Sequence, residues 1–135
     1  DRAVLERALE GYATTFQDTY RGFLAAKLGL AALDRDGDDA LVAGLYEVLQ
    51  QAETDLTLFH RGLARVAPDE WTGAGVAPRD PADPASVPGP LRAAFYDEGS
   101  VATAGRAKLH DWLRLWAARV RAVGLPDAVR VAGMD

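Results

Sequence analysis

The chain has 135 residues, a formal net charge of −5, no cysteine and 49% hydrophobic residues. Such hydrophobic content excludes a disordered chain, the lack of cysteine excludes disulfides and thiolate metal sites, and the negative charge argues against non-specific nucleic-acid binding. No apolar run approaches the ~20 residues of a membrane-spanning helix and no signal peptide is visible, so neither membrane nor nucleic acid is an expected partner, and cytoplasm is the expected compartment.

The first element is the longest. Leu5, Leu9, Tyr12, Phe16, Tyr20, Phe23, Leu24 and Leu28 recur at steps of three and four. That spacing predicts one amphipathic helix with these side chains turned inward and Glu6, Glu10, Gln17, Asp18 and Arg21 on the other face. Gly29, after the last periodic residue, and Lys27, in the last turn, predict a stop there. The helix should span roughly 25 residues, about 38 Å, which leaves room for a kink at Gly11 or Gly22.

Residues 31–39 read as an Asp-rich polar turn, and Asp38 or Asp39 is expected to cap a second helix that turns Leu41, Val42, Leu45, Tyr46 and Leu49 inward. A third helix should start at Thr54 or Asp55 and run through Leu56, Phe59, Leu63 and Val66. The short link predicts that these two helices are antiparallel neighbours. Six of the seven prolines lie in 67–90, mixed with glycine, alanine and aspartate. This composition predicts a long, irregular, mobile loop whose one large anchor, Trp71, docks on the bundle.

Pro90 suits the first turn of a short helix over 91–96, with Leu91, Phe95 and Tyr96 apolar, broken at Asp97 to Ser100. A fourth long helix is predicted over 101–123, striped by Leu109, Trp112, Leu113, Trp116, Val120 and Val123 and closed by Gly124. Pro126 opens a last short helix through Val129 and Ala132. No segment alternates as a strand. The expected fold is all-α, an irregular bundle of about four main helices plus short ones. It forms a single domain over 1–135, with 67–90 as a Pro/Gly-rich loop. Trp112 and Leu113 should anchor a core shared with Phe16, Tyr20, Phe23 and Phe59.

Few residues suggest chemistry. His60-Arg61-Gly62-Leu63 is like the start of a kinase catalytic loop, but glycine stands where the aspartate belongs, and the string lies in a helix. Asp34, Asp36 and Asp38 are spaced like calcium ligands, but the turn glycine would be Asp39 and the bidentate glutamate Leu45; a solvated turn with a helix cap is the better reading. Gly73 and Gly75 are a fragment of a glycine loop, with Pro78 in place of the third glycine. His110 reads as a surface residue between Arg106 and Arg114. Trp112 and Trp116 read as core, not as a stacking platform. Arg106, Lys108, Arg114, Arg119, Arg121 and Arg130 make the C-terminal segment basic, which reads as a solvated face in preference to a docking face. No catalytic, cofactor-binding or metal-ligating residue is assigned.

The order of short strings carries more. Tyr20 to Leu30, YRGFLAAKLGL, precedes an acidic turn and an LxxxLYxxL helix; then comes Asp55-Leu-Thr57-Leu-Phe59-His-Arg61-Gly-Leu63, and later Trp112-Leu-Arg-Leu-Trp116-Ala-Ala-Arg119. This order resembles the C-terminal helical part of the SelO, or YdiU, family, whose pattern reads as an aromatic, KLGL, DxTxxFRxL and W-x-x-x-Y-x-x-R. His60 and Trp116 depart from it. The resemblance implies a piece of a longer, pseudokinase-like protein that transfers AMP from ATP to Ser, Thr or Tyr hydroxyls of client proteins. It implies ATP and Mg or Mn as cofactors of the parent and none in this piece, with an N-terminal kinase-like region and the clients as partners. The absence of an initiator methionine at Asp1 fits the same expectation. Two functions stay open: a helical scaffold of such an enzyme, or a stand-alone helical interaction module.

Overall fold

The computed structural model describes residues 1–51, 54–73, 76, 79–95 and 103–134. Among them are six α-helices: α1 (Arg2–Lys27), α2 (Asp38–Leu49), α3 (Leu56–Leu63), α4 (Gly89–Arg92), α5 (Thr103–Val123) and α6 (Asp127–Met134). Two 3₁₀ turns, Pro68–Glu70 and Pro84–Ser86, punctuate the proline-rich segment. The only strand-like pairing among the described residues is an isolated antiparallel bridge between Thr54 and Phe95. The all-α expectation holds.

The start and stop signals act locally. The Asp1 carboxylate accepts from the Ala3 amide at 3.2 Å and caps α1. At the other end Leu28 is the C-cap and Gly29 adopts φ 77°. The Leu30 amide donates to the Ala25 carbonyl at 2.8 Å and the Gly29 amide to that of Ala26 at 3.0 Å, the paired bonds of a Schellman stop. KLGL is therefore a helix terminus whose two leucines, Leu28 and Leu30, are buried. Asp55 caps α3, its carboxylate accepting from the Leu58 amide at 2.9 Å. The second helix is capped differently from expectation: Gly37, at φ 89°, is its N-cap, and Asp38 is its first residue.

The core lies around α5. Leu109, Trp112, Leu113, Trp116 and Val120 are all buried, and α2 packs along them. Phe59 meets Trp112 at 6.0 Å between ring centroids and Phe95 edge-on at 6.5 Å. The expected pairing of α2 with α3 is not the dominant one. The principal partner of α2 is α5, and that of α3 is α4, because the Thr54–Phe95 bridge and the Asp55 amide, which donates to the Ala94 carbonyl at 2.7 Å, draw the start of α3 to the end of α4. The turn expected over 91–96 is α4, set earlier at Gly89; Tyr96 to Ser100, and 101–102 at the expected start of α5, lie outside the described residues.

The larger correction concerns α1. Leu5, Leu9, Tyr12, Phe16, Tyr20 and Phe23 are exposed, and only Leu24 and Ala25 within the helix are buried. Phe16, Tyr20 and Phe23 do not join the core of Trp112 and Leu113. The stripe faces outward: among the described residues the contacts of α1 with the rest come from its last turns, chiefly with α6 and through Tyr20 and Arg21 with the 33–46 region. Tyr46, expected inward on α2, is also exposed, and Val48 takes the buried place.

Candidate functional site

Trp112, Trp116, Arg119 and Asp38, all singled out in the sequence, meet on one seam, where α5 holds the 28–41 segment. The Trp116 indole Nε1 donates to the Leu28 carbonyl at 2.8 Å, and Trp112 Nε1 donates to that of Leu41 at 2.8 Å. One turn on, Arg119 Nε donates to Asp38 Oδ1 at 2.7 Å, while its Nη2 reaches Asp38 Oδ2 at 3.1 Å and the Ala32 carbonyl at 3.0 Å. The i, i+4 and i+7 spacing of Trp112, Trp116 and Arg119 sets all three on one face of α5, so one helix clamps both ends and the middle of a single loop.

Asp38 is 2% exposed. Its carboxylate is fork-bound by Arg119 and also accepts from the Arg35 amide at 2.9 Å. The Arg119 hydrogen bonds are the main reason its acidity is raised, so that it stays ionised below the usual carboxylate value of 3.8. Within the acidic turn only Asp38 is thus withdrawn from water; Asp34, Asp36 and Asp39 are exposed, as expected. Asp38 and Asp34 pair with Arg119 and Asp39 with Arg21, which leaves carboxylates that are already neutralised and do not converge. The donor set does not fit a nucleotide-bound divalent ion. Among the described residues, no group of three His, Cys, Asp or Glu side chains is placed to hold a metal.

Half of the basic C-terminal segment is turned inward, while Lys108 and Arg114 stay on the exposed face. Arg106, Arg119 and Arg130 are largely buried. Arg106 Nε donates to the Pro81 carbonyl at 2.5 Å and ties the proline-rich segment to α5. The hydrocarbon stem of Arg130 lies against Gly29, where an added Cβ would come within 2.8 Å of Arg130 Cγ and 2.9 Å of Met134 Sδ. This close approach of α6 to the α1 stop gives KLGL a second reason to carry glycine. Arg121 bridges Asp69 and Asp127 at 2.7 and 3.1 Å.

His110 is not a surface residue. It is 1% exposed, tilted against the Trp71 ring at 5.3 Å between centroids, with Nε2 3.2 Å from the Ser86 carbonyl. Burial pushes its pKa below the usual 6.5. Trp71 docks as expected, and Arg79 lies over its indole at 3.9 Å. His60, the first residue of HRGL, also has its pKa lowered by burial. Gly62, where a kinase aspartate would stand, packs directly against the Pro90 carbonyl, so no side chain fits there. Gly73 has φ 112° with open space around it, while Gly75 and Pro78 lie outside the described residues.

A groove of about 410 Å³ opens between α1, α2 and α3, lined by Tyr20, Phe23, Lys27, Tyr46, Leu56 and His60 among others. It is mostly apolar, and the Tyr20 and Tyr46 hydroxyls meet across its wall. Sequence reasoning missed it because Tyr20, Phe23 and Tyr46 looked like core. The two tyrosine hydroxyls and the aromatic width of all three were the available signal, since such side chains also suit a half-wet wall.

The comparisons with known proteins agree with this arrangement. The family model for SelO, described as protein adenylyltransferase SelO, matches residues 1–131. A protein nucleotidyltransferase YdiU from Nitrosospira multiformis is 39% identical over 145 residues, covering 100% of this chain and 26% of the relative. One from Xanthomonas axonopodis pv. citri is 37% identical over 134 residues, covering 99% of this chain and 23% of the relative. The chain thus spans about a quarter of the length of these curated relatives. No solved structure matches. The order of KLGL, the capped DxT helix and the W-x-x-x-W-x-x-R clamp, together with a family match over residues 1–131, means that the chain belongs to the SelO family.

Proposed function

We propose that this chain is the C-terminal helical scaffold of a protein adenylyltransferase that transfers AMP from ATP to Ser, Thr or Tyr hydroxyls of client proteins, and that the nucleotide site lies elsewhere in the parent. The observation that supports this reading is the family match combined with the use of the motif side chains. Trp112, Trp116, Arg119 and Asp55 are all engaged with backbone or carboxylate groups of this same chain. Phosphate recognition needs a backbone cradle or free cations aimed at one point, and the arginines of the seam are already paired. ATP and Mg or Mn would accordingly be held by the kinase-like region of the parent, with this bundle as its support.

Calorimetry with ATP and magnesium tests the proposal, run on the 135-residue chain and on the complete polypeptide encoded by its gene. The expected result is a silent short chain beside an ATP-binding, AMP-transferring complete polypeptide. Submillimolar ATP binding by the short chain overturns the scaffold reading. The exposed stripe of α1 also suits a stand-alone interaction module. A start codon immediately before Asp1 would favour that second reading.

A further inference from the structure

Most of α1 presents an apolar face that no other helix among the described residues covers. Leu5 and Leu9 are each 60% exposed, Tyr12 73%, Phe16 63% and Phe23 62%. Their spacing lays them along one side of the helix over roughly 27 Å. Polar side chains flank it. Arg2 pairs with Glu6 at 3.2 Å, and the Thr14, Thr15 and Thr19 hydroxyls donate to the carbonyls four residues back. Contacts that hold α1 to the bundle begin only near its C-terminal third, with the Tyr20–Tyr46 hydroxyl pair and Arg21, which reaches Asp39 at 2.9 Å and the Leu33 carbonyl at 2.6 Å. An unsupported helix of this length is marginal in water. A continuous apolar stripe of this size is rare on a finished surface.

The stripe runs into the groove between α1, α2 and α3, because Tyr20 and Phe23 belong to both. The result is one long aromatic-rich surface with a pocket at one end. That is the composition from which interface anchors are drawn.

We propose that this face of α1, with the adjoining groove, is the seat of the remainder of the same polypeptide: the three-quarters of the relatives' length that this chain does not span. The relatives contain this region as only 26 and 23% of their length. In them it is covalently joined to several hundred further residues, whose effective concentration at the stripe exceeds that of any separate protein. This inference rests on the scaffold reading and deepens it: α1 is the docking helix, and the α5 clamp keeps its C-terminal end in place.

Amide hydrogen exchange of residues 4–23 tests it, compared between the 135-residue chain and the complete polypeptide encoded by the gene. Exchange is expected to be at least about 100-fold slower in the complete polypeptide, the scale on which docking protects a helix that otherwise frays. A double variant, L9K/F16K, should leave the melting temperature of the short chain unchanged and lower that of the complete polypeptide by several degrees. Equal exchange rates in the two overturn the proposal, including the case in which the gene encodes no further chain. So does strong protection of 4–23 in the short chain accompanied by a dimer mass, which would assign the face to a second copy. AMP transfer by the wild-type complete polypeptide is read separately. Its absence alongside slowed exchange would remove the enzymatic reading and leave the docking surface standing.

Discussion

The two long helices α1 and α5 carry the same periodic pattern and meet opposite fates. The apolar stripe of α5 is enclosed by α2, by Phe59 of α3 and by the proline-rich segment, and even His110 and Arg106 are buried on it. Along α1 the equally regular stripe is open from Leu5 to Phe23. An amphipathic pattern states which face seeks cover. It does not state whether the cover is supplied by the same stretch of chain.

The sharpest test of that contrast is a pair of aromatic truncations in the 135-residue chain. Trp116→Ala removes a fully buried indole and its bond to the Leu28 carbonyl, and should cost about 3–5 kcal/mol in urea denaturation. Phe16→Ala, 63% exposed, should stay within about 0.5 kcal/mol. Equal losses would mean that α1 folds back onto the bundle. Next comes the clamp itself. Asp38→Ala leaves the Arg119 guanidinium, 11% exposed, without its main partner, and a loss of about 3 kcal/mol is expected. A near-neutral result would show that Ala32 and Asp34 suffice to hold Arg119.

The buried histidines give a smaller, pH-dependent effect. Burial lowers the pKa of both His60 and His110 from 6.5. The unfolded chain therefore takes up protons first, so stability is fully present above pH 6.5 and declines as pH falls below it. The slope can reach at most about 1.4 kcal/mol per pH unit per histidine. Chemical denaturation at about pH 7.5 and 5.5 checks the sign, and a H60Q/H110Q variant should flatten the slope. A modest loss is expected at the α3 cap: Asp55→Ala should cost about 1 kcal/mol through the orphaned Leu58 amide. If stability held while AMP transfer by the complete polypeptide fell, the DxT string would be functional and not a cap.

Much of the secondary structure was legible because its causes are local. Gly29 stops α1, Asp55 caps α3, Gly124 follows α5 at φ 73°, and proline opens the short turns Pro68–Glu70 and Pro84–Ser86. The family, too, could be recognised from strings in order. The acidic turn and the basic segment are solvated at Asp34, Asp36, Asp39, Lys108 and Arg114, but charge counted along a sequence does not reveal that Arg119 and Asp38, 81 residues apart, meet and bury each other. His110 was misplaced for a similar reason. Its helical position between arginines looked polar until Trp71 and Ser86 arrived from the proline-rich segment.

By itself, then, the sequence determined where helices start and stop and which faces are apolar, since caps, glycines and 3.6-residue periodicity act within a few residues. Only the tertiary structure decided which apolar face is satisfied. Burial depends on which distant segments reach that face. Trp71, Arg106 and Arg119 bring segments to α5, and none of the described contacts brings one to Leu9, Tyr12 or Phe16.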